Sequence, residues 1–266
     1  MTKKRERRVA LVMDTAQHIG PWVARKLAQR DHDLVISDPN VVIEGAKTTS
    51  PDLVAELKAM GARVEVVDID DVNAKGAIQK LVDRAMDAYG GYDAAFIRPG
   101  VHIVGNWAKA TEKELTDSFI GNHLSTQYAL QAIVPPLVEQ GSGQVLIEVS
   151  ASATKNMEDV AVYGSTRAGA VYLINQCALD VAKHGVLVNG MGTNFCDYPG
   201  FIDNIKKRSG IDLNDPEALA EYCKGIPVGY LGEPEQIAHL AAAVLDGGCN
   251  YYTAQFLNMS GGWNGF

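Results

Sequence analysis

The chain has 266 residues, of which 47% are hydrophobic and 21% are charged, a composition that suits one α/β domain with a large core. Its net charge of −8 argues against a nucleic-acid partner, because nucleic-acid binding needs a basic face. No apolar run approaches the ~18 residues of a membrane span, and the four cysteines contain no C-x-x-C pair. We therefore expect a cytoplasmic protein with reduced thiols, no membrane partner and no metal site.

Apolar runs suited to buried strands alternate with segments of helical periodicity along the chain. The predicted strands are residues 8–13, 33–37, 63–67, 93–97, 143–149, 186–191 and 255–259. The predicted helices are residues 17–30, 51–61, 72–89, 111–140, 160–184, 199–208, 215–224 and 234–246. We expect Pro135 and Pro136 to disturb the fourth helix near its end. The alternation predicts an α/β fold, a Rossmann-type doubly wound sheet of about seven parallel strands with helices on both faces.

The whole chain, residues 1–266, is predicted to form a single domain without an internal repeat or linker. Residues 1–7 are basic and are predicted to form a flexible tail; no apolar segment follows them, so we expect no signal peptide. Residues 192–224 depart from the regular alternation of strands and helices. Because an insertion beyond the carboxyl end of a strand overhangs the ligand crevice of such a sheet, this region is predicted to be an active-site loop.

One stretch, residues 150–167, combines residue types suited to acid–base chemistry. Ser150 ends a predicted strand, and Tyr163 and Arg167 lie four positions apart on the next helix, where residues at that spacing are neighbours. A permanent positive charge beside a phenol favours the phenolate, and the serine can hydrogen-bond the oxygen on which the tyrosine acts. The three residues are therefore a candidate general-base site, and a general-acid site in the reverse direction. A tyrosine and an arginine at this spacing are equally consistent with a surface pair.

Further motifs accompany this stretch: the turn after the first strand, DAAFIRPG at residues 93–100, Asn122, and the closing segment 249–262. With them the chain resembles the short-chain dehydrogenase/reductase superfamily over nearly its whole length. Members of that superfamily typically carry Tyr-x-x-x-Lys and bind a nicotinamide cofactor over a glycine-rich turn. The resemblance gives Asn122 either a structural role or a role in linking the active site to a water network.

Two departures from the superfamily pattern concern the cofactor. The turn at residues 13–20 keeps only the final Ile-Gly of Thr-Gly-x-x-x-Gly-Ile-Gly, and Asp14 and His18 stand where the pattern has glycine. A carboxylate and a bulky ring thus lie where the dinucleotide phosphates are expected. Arg167 replaces the lysine, and arginine is always charged and relays protons poorly. These changes indicate acid–base chemistry without hydride transfer, so we expect no cofactor; a variant loop that binds the cofactor differently stays open.

The order Ser-x12-Tyr-x3-Arg resembles the halohydrin dehalogenases, a cofactor-free branch of the same superfamily. Residues 150–154, 167–170 and 192–195 are similar to stretches of that family, and Trp263 follows the final Gly-Gly as a tail aromatic often does. In that family the space vacated by the nicotinamide holds a halide ion. The resemblance therefore implies a haloalcohol or epoxide substrate and a halide or other small anion as partner.

The implied halide pocket draws residues from the first turn and from the loop after residue 191. The candidates are His18, Asn194, Phe195 and Cys196, with Tyr198 and Trp263 as pocket walls. For Tyr198 and Trp263, core packing or a surface position is equally open. Met13 and His18 stand where the family usually has a threonine and an aromatic residue, and Thr193 replaces a proline of the loop.

Three functions are compatible with these patterns. The first is a carbon–halogen lyase in which Tyr163 deprotonates a vicinal haloalcohol and the alkoxide displaces the halide, giving an epoxide, a halide and a proton. The second is an NAD-dependent oxidoreductase, supported by Asp38 at the end of the second strand, where an acid binds the adenosine ribose. Asp38 also suits a turn before Pro39. The third is a non-catalytic binding or regulatory protein on the same fold.

Two further expectations concern histidines and assembly. The remaining histidines have no ligand-like spacing and are predicted to be surface or satisfied core residues: His32, His102, His123, His184 and His239. The helices over residues 111–140 and 160–184 resemble those through which the superfamily forms four-helix interfaces. The resemblance therefore implies a homotetramer.

Overall fold

Seven parallel strands form one sheet at the centre of the protein. The computed structural model describes residues 6–41 and 48–265. The strands are β1 (Arg8–Val12), β2 (His32–Ser37), β3 (Val64–Val67), β4 (Ala94–Ile97), β5 (Gly143–Glu148), β6 (Val186–Thr193) and β7 (Phe256–Met259). Their order in the sheet is β3-β2-β1-β4-β5-β6-β7, so the predicted Rossmann-type parallel sheet is confirmed.

Nine α-helices in the described ranges cover both faces of the sheet. They are α1 (Gly20–Ala28), α2 (Leu53–Ala59), α3 (Ala77–Tyr89), α4 (Glu112–Phe119), α5 (Ser125–Gln140), α6 (Ala161–Val181), α7 (Pro199–Ser209), α8 (Pro216–Cys223) and α9 (Pro234–Leu245). Along β1, Val9 and Leu11 pack in the core shared with α3, α5 and α6, whereas Val12 packs in the core shared with α1, α2 and α9. Because both faces are buried, the strands read as continuous apolar runs.

Two helices begin later than the sequence predicts, because a residue in the left-handed conformation precedes each of them. α1 begins at Gly20 instead of residue 17, since His18 has a φ of 51°. α3 begins at Ala77 instead of residue 72, since Gly76 has a φ of 92°. A right-handed helix cannot contain a residue in this conformation. Most of the other predicted elements differ from the observed ones by small shifts at their ends, where helices and strands fray.

The helix predicted over residues 111–140 is divided in the structure. A π-helical turn, Ile120–Leu124, separates α4 from α5 and carries Asn122. Pro135 and Pro136 do not disturb α5, which continues through both, so that prediction is wrong. Pro135 lies on the exposed side of the helix, where carbonyl groups left without N–H partners can bind water. Turns of the π type are frequent at functional sites, which draws attention to Asn122.

Residues 194–224 follow the carboxyl end of β6 and contain two helices, α7 and α8. The first two residues of the predicted loop, 192 and 193, belong to β6 itself. These helices pack on a small apolar core of their own, formed by Leu213, Cys223, Ile226 and Leu231. This core is separate from the two cores of the sheet. We call residues 199–223 the α7–α8 cap.

The amino-terminal residues are only partly described. Residues 1–5, most of the predicted tail, lie outside the described residues. Arg7 does form ordered contacts, since its Nη1 lies 3.5 Å from Asp31 Oδ1 and its Nε lies 3.4 Å from Asp33 Oδ1. Asp33 is fully buried, so Arg7 belongs to the folded body. Separately, none of the helices within the described ranges has the length and apolar character to cross a membrane.

Candidate active site

A cavity of about 490 Å³ opens at the carboxyl ends of the central strands. β1 and β4 are neighbours in the sheet although they are not consecutive in the chain, and ligands of open α/β sheets bind at such a point. The wall of the cavity includes Ser150, Tyr163 and Arg167. The three residues predicted to carry the chemistry thus lie in one site.

Ser150 and Tyr163 reach the cavity from consecutive elements. Ser150 follows the carboxyl end of β5 in an extended conformation, with a φ of −157°, and Tyr163 lies in the first turn of α6. Both are nearly buried, with 9% and 8% of their surfaces exposed. The Ser150 hydroxyl lies 2.9 Å from that of Ser152, a cavity residue that no sequence pattern indicated. Two hydroxyl groups and a phenol therefore border the same cavity.

Arg167 is fixed close to the phenol. Its guanidinium carbon lies 5.2 Å from the centre of the Tyr163 ring, and its Nη1 donates a hydrogen bond of 2.9 Å to the Pro99 carbonyl. Only 2% of Arg167 is exposed, and its Nε–H has no hydrogen-bond partner among the described residues. Gly100 permits this position, because a Cβ there would overlap the guanidinium, with Cζ at 2.5 Å. A permanent positive charge is thus held next to Tyr163.

Asn122 joins the segment after β4 to helix α6. Its Oδ1 accepts a hydrogen bond of 3.0 Å from the Val101 N–H. Its Nδ2 donates to the hydroxyl groups of Ser118 and Thr166, each at 3.1 Å. Asn122 is fully buried, and its amide is engaged on both sides. Of the two roles implied by the resemblance, the structural one matches these contacts.

The turn between β1 and α1 carries side chains on a backbone of glycine-like shape. Asp14 and His18 have φ values of 62° and 51°, a region that glycine adopts without strain. At Gly20 a Cβ would lie 2.7 Å from the Asp14 carbonyl carbon, which explains the retained glycine. Asp14 Oδ2 lies 2.6 Å from His18 Nδ1 and 3.2 Å from Arg98 Nη1. A buried carboxylate with two partners therefore fills this turn.

Arg98 and Glu148 form a second buried ion pair beside the turn. Arg98 Nε lies 3.5 Å from Glu148 Oε2, and the Thr193 hydroxyl donates a hydrogen bond of 2.6 Å to Glu148 Oε1. Burial raises the pKa of Glu148, although Arg98 and Thr193 oppose this shift. Burial alone would lower the pKa of Arg98, but Glu148 and Asp14 raise it above its ordinary value. The sequence does contain a signal for this pair. Arg98 and Glu148 each stand at the carboxyl end of an apolar strand, and a buried charge needs a partner.

The residues predicted to bind the halide approach the cavity from the first turn and the loop after β6. Five of the six line the cavity wall: His18, Asn194, Phe195, Cys196 and Tyr198. Trp263 packs behind Phe195, with ring centres 5.5 Å apart. The N–H groups of Asn194, Phe195, Asp197 and Tyr198 already donate to oxygen atoms of Met259, Asn194, Gly232 and Cys196, respectively. Within the described loop, the Cys196 N–H is thus the backbone donor left for a ligand.

His102 also belongs to the cavity wall, although no spacing indicated it. Its ring packs edge-on against the Tyr163 ring, with centres 4.8 Å apart, and its Nδ1 lies 2.9 Å from Asn204 Nδ2 in α7. Desolvation in the cavity lowers the pKa of His102 to about 4, assisted by Arg208 and Arg167. His102 is therefore neutral at pH 7, and with Nδ1 accepting from the amide it carries its proton on Nε2.

The cavity wall is more positive than the protein as a whole. Four cationic side chains line it, Arg98, Arg167, Lys207 and Arg208, and two carboxylates, Asp14 and Asp203. The complete chain has a net charge of −8. A cleft with a local excess of one sign concentrates ligands of the opposite sign. The cavity is therefore suited to an anionic ligand or product.

Asp38 is absent from the described wall of the cavity. Its Oδ1 accepts hydrogen bonds from the backbone N–H and the side-chain amide of Asn40, at 2.8 and 3.1 Å. This is the arrangement of an aspartate that stabilises its own turn. Of the two interpretations of Asp38, the turn residue before Pro39 is the one that these contacts match.

Comparisons with known proteins find relatives over nearly the whole chain. The family model described as enoyl-(acyl carrier protein) reductase matches residues 15–264. L-2,3-butanediol dehydrogenase of Corynebacterium glutamicum is 26% identical over 263 residues, which cover 96% of this chain and 98% of that protein. Cyclohexanol dehydrogenase of Rhodococcus sp. (strain TK6) is 26% identical over 269 residues, covering 96% of this chain and 95% of that protein. The L-sorbose reductase from Gluconobacter frateurii, solved with NADPH and L-sorbose, has the same fold, with a TM-score of 0.85, 18% identity and 100% of both chains covered.

Proposed function

The chain belongs to the short-chain dehydrogenase/reductase superfamily, and we propose that within it this enzyme is a carbon–halogen lyase of the halohydrin dehalogenase type. It converts vicinal haloalcohols to an epoxide, a halide ion and a proton, and in reverse it opens epoxides with small anions. The reaction uses no nicotinamide cofactor. The observation that carries the proposal is the turn between β1 and α1, which side chains fill.

This turn does not fit a dinucleotide. Glycine at its left-handed positions lets the backbone approach a pyrophosphate closely, whereas here these positions are Asp14 and His18. The Asp14 carboxylate is buried and bonded to His18 and Arg98. A pyrophosphate would have to displace these contacts and lie against a negative charge. Hydride transfer from a nicotinamide is therefore not part of the proposed reaction.

The chemistry proposed for the site is general-base catalysis of an intramolecular displacement. Ser150 and Tyr163 hydrogen-bond the substrate hydroxyl, and the Tyr163 phenolate removes its proton. The alkoxide oxygen attacks the neighbouring carbon from the back face, and the electron pair of the carbon–halogen bond leaves with the halide. The fixed charge of Arg167 stabilises the negative phenol oxygen. General-base assistance contributes about 10²–10⁴-fold, and alignment of the reacting atoms adds to it.

The same cavity offers groups that suit a departing halide. Its wall has an excess of cationic side chains, and the Cys196 N–H is an unused backbone donor of the described loop. Burial raises the pKa of the Cys196 thiol, so the sulfur is neutral and does not repel an anion. In the reverse reaction a small anion bound here attacks the epoxide carbon while Tyr163 protonates the oxygen.

A nicotinamide-dependent oxidoreductase with arginine in place of lysine is the second candidate. The names of the relatives favour it more directly than they favour a lyase, since both curated relatives are called dehydrogenases. The positive cavity wall suits dinucleotide phosphates as well as a halide. The side chains of Asp14 and His18, together with Arg167, argue against this candidate.

Halide release distinguishes the two candidates. The purified protein, without added nucleotide, is mixed with a small vicinal bromoalcohol, and bromide and proton release are followed. We expect release that is unchanged by NAD, abolished by Tyr163→Phe and retained by Tyr251→Phe, a matched control at a fully exposed position. No release from several haloalcohols, together with saturable NADH binding, would establish the second candidate instead.

We also propose a homotetramer in the cytoplasm. Helices α4 and α6 expose large apolar side chains, namely Leu115, Phe119, Tyr172 and Leu179. Large apolar side chains exposed on two helices are a feature of protein–protein interfaces. All four cysteines are free thiols, which suits a reducing compartment.

A further inference from the structure

The Asp14–His18 pair has an unusual backbone. Both residues have positive φ values, 62° and 51°, although neither is glycine. Side chains in this region are strained, and such residues persist where the surrounding structure holds them, often at functional sites. Here the hydrogen bond of 2.6 Å between Asp14 Oδ2 and His18 Nδ1 holds both side chains. The pair therefore has a geometry that requires an explanation beyond turn formation.

Charged side chains from three neighbouring strand ends lie beside His18. Asp14 contributes a carboxylate from the first turn, and Glu148 contributes a second one from β5. One arginine, Arg98, lies between them, 3.2 Å from Asp14 and 3.5 Å from Glu148. The Tyr198 ring packs edge-on against the His18 ring, with ring centres 5.0 Å apart. With Nδ1–H donating to Asp14, a neutral His18 ring has only a lone pair at Nε2.

The free nitrogen of His18 is directed away from Asp14. Since Nδ1 is bonded to the carboxylate, Nε2 is the nitrogen left for a ligand. Nε2 lies towards the start of α7, because a Cβ at Gly200 would be 3.9 Å from it. His18 lines the cavity together with Tyr163, and α7 adds the charged side chains of Asp203, Lys207 and Arg208 to the same wall. A protonated His18 therefore has one N–H donor available at the cavity.

We propose that Asp14 and His18 form a proton-coupled anion clamp, in which His18 takes up a proton as a halide or similar small monoanion binds at Nε2 and releases it as the anion leaves. Without this proton Nε2 presents a lone pair to the cavity, and a lone pair repels an anion. With the proton, Nε2–H is a charged hydrogen-bond donor, which is stronger than a neutral one. The clamp rests on the proposed function, because the anion it receives during turnover is the leaving halide.

Atoms and charges balance over the cycle. The substrate hydroxyl proton passes to Tyr163, the carbon–halogen electron pair leaves with the halide, and the carbon–oxygen bond of the epoxide forms. Tyr163 then releases its proton to solvent and is again a phenolate. His18 binds a solvent proton with the halide and returns it when the halide departs. One halide and one proton are released per turnover. The clamp therefore affects the pH at which the anion binds, and it leaves the stoichiometry of the reaction unchanged.

Calorimetric titration with sodium bromide tests the clamp without any turnover. The titration is run at constant ionic strength in two buffers of different ionisation enthalpy, which gives the number of protons taken up per bromide. We expect uptake of up to about one proton, and a dissociation constant that rises up to about tenfold per pH unit on the alkaline side. His18→Gln should abolish the uptake, and Asp14→Asn should reduce it. His184→Gln, at an exposed position after α6, is the matched control and should leave it unchanged.

The possible outcomes separate the clamp from the lyase proposal. Bromide binding without proton uptake, uptake that persists in His18→Gln, or no bromide binding at any pH would overturn the clamp. Uptake that depends on His18, together with no halide release from haloalcohols, would leave the clamp standing and overturn the lyase. If His18→Gln does not fold, nitrogen-15 NMR of the histidine-labelled wild-type protein replaces it. One imidazole must then change to the protonated form on bromide addition, and no such change would refute the clamp.

Discussion

Substitution of Gly100 by alanine tests whether the position of Arg167 matters. Gly100 has a φ of 138°, and a Cβ there would overlap the Arg167 guanidinium, with Cζ at 2.5 Å. A hydrogen bond of 2.9 Å to the Pro99 carbonyl holds the guanidinium in this position. The alanine methyl group therefore forces Arg167 away from Tyr163 or strains the segment after β4.

The expected cost follows from two effects. A side chain at this φ is strained by about 1–3 kcal/mol. A lost hydrogen bond from a charged group costs about 1.5–3 kcal/mol more. Together they lower the free energy of unfolding by about 2.5–6 kcal/mol. Each kcal/mol lowers Tm by about 2–4 °C in a chain of this size. Without the cation, halide release should fall at least about 100-fold, the lower end of what a general base contributes.

Differential scanning calorimetry and initial-rate halide release measure both effects. Gly105→Ala is the matched control, since Gly105 also has a positive φ, 156°, but a Cβ there would have no neighbour within 4 Å. The control should show the backbone strain and keep most of the activity. If Gly100→Ala is as stable and as active as Gly105→Ala, the reasoning about Arg167 is refuted.

The remaining predictions concern the cation, a neutral histidine and the assembly. Arg167→Lys should slow halide release by about tenfold or more, because the two cations differ in geometry. Fluorescence titration of this variant should find no NADH binding. NADH binding would contradict the argument from the turn between β1 and α1. The pKa of His102 is lowered from 6.5 to about 4 in the folded protein, so the unfolded chain binds more protons between these values and the free energy of unfolding falls as pH drops through this range. Urea titrations should show a smaller fall in His102→Gln, and an equal fall would count against the shifted pKa. Glutamate at both Tyr172 and Leu179 should dissociate the proposed tetramer, and light scattering measures the loss of mass. Glutamate at the fully exposed Tyr251 should leave the mass unchanged. A tetramer that stays intact in the double variant would rule out this interface.

Strands could be predicted from the sequence more reliably than the starts of helices. Burial of both sheet faces produces apolar runs that are visible without a structure. The start of α1 depends on His18, whose left-handed backbone is held by its bond to Asp14. The π-helical turn depends on Asn122, which bonds to Val101 and Thr166, groups distant in the chain. No periodicity records such contacts.

The candidate site shows the same division. Ser150 and Tyr163 could be placed together from the sequence. Ser150 ends a predicted strand and Tyr163 lies at the start of the next helix, and ligands of such sheets bind at the carboxyl ends of the strands. The pairing of Arg98 with Glu148 depends on β4 and β5 being neighbours, and the two residues are far apart in the sequence. The place of His102 depends on α7, whose Asn204 holds its ring. These contacts follow from the assembled fold and not from any local pattern.

The separate core of the α7–α8 cap has a consequence for how this enzyme can evolve. The cap contributes Phe201, Lys207 and Arg208 to the cavity wall, but its buried side chains are not shared with the sheet. Substitutions in the cap can therefore change the shape of the cavity without disturbing the two cores of the sheet, which position Ser150 and Tyr163. If the protein opens epoxides as proposed, directed evolution for bulkier substrates should begin in the cap.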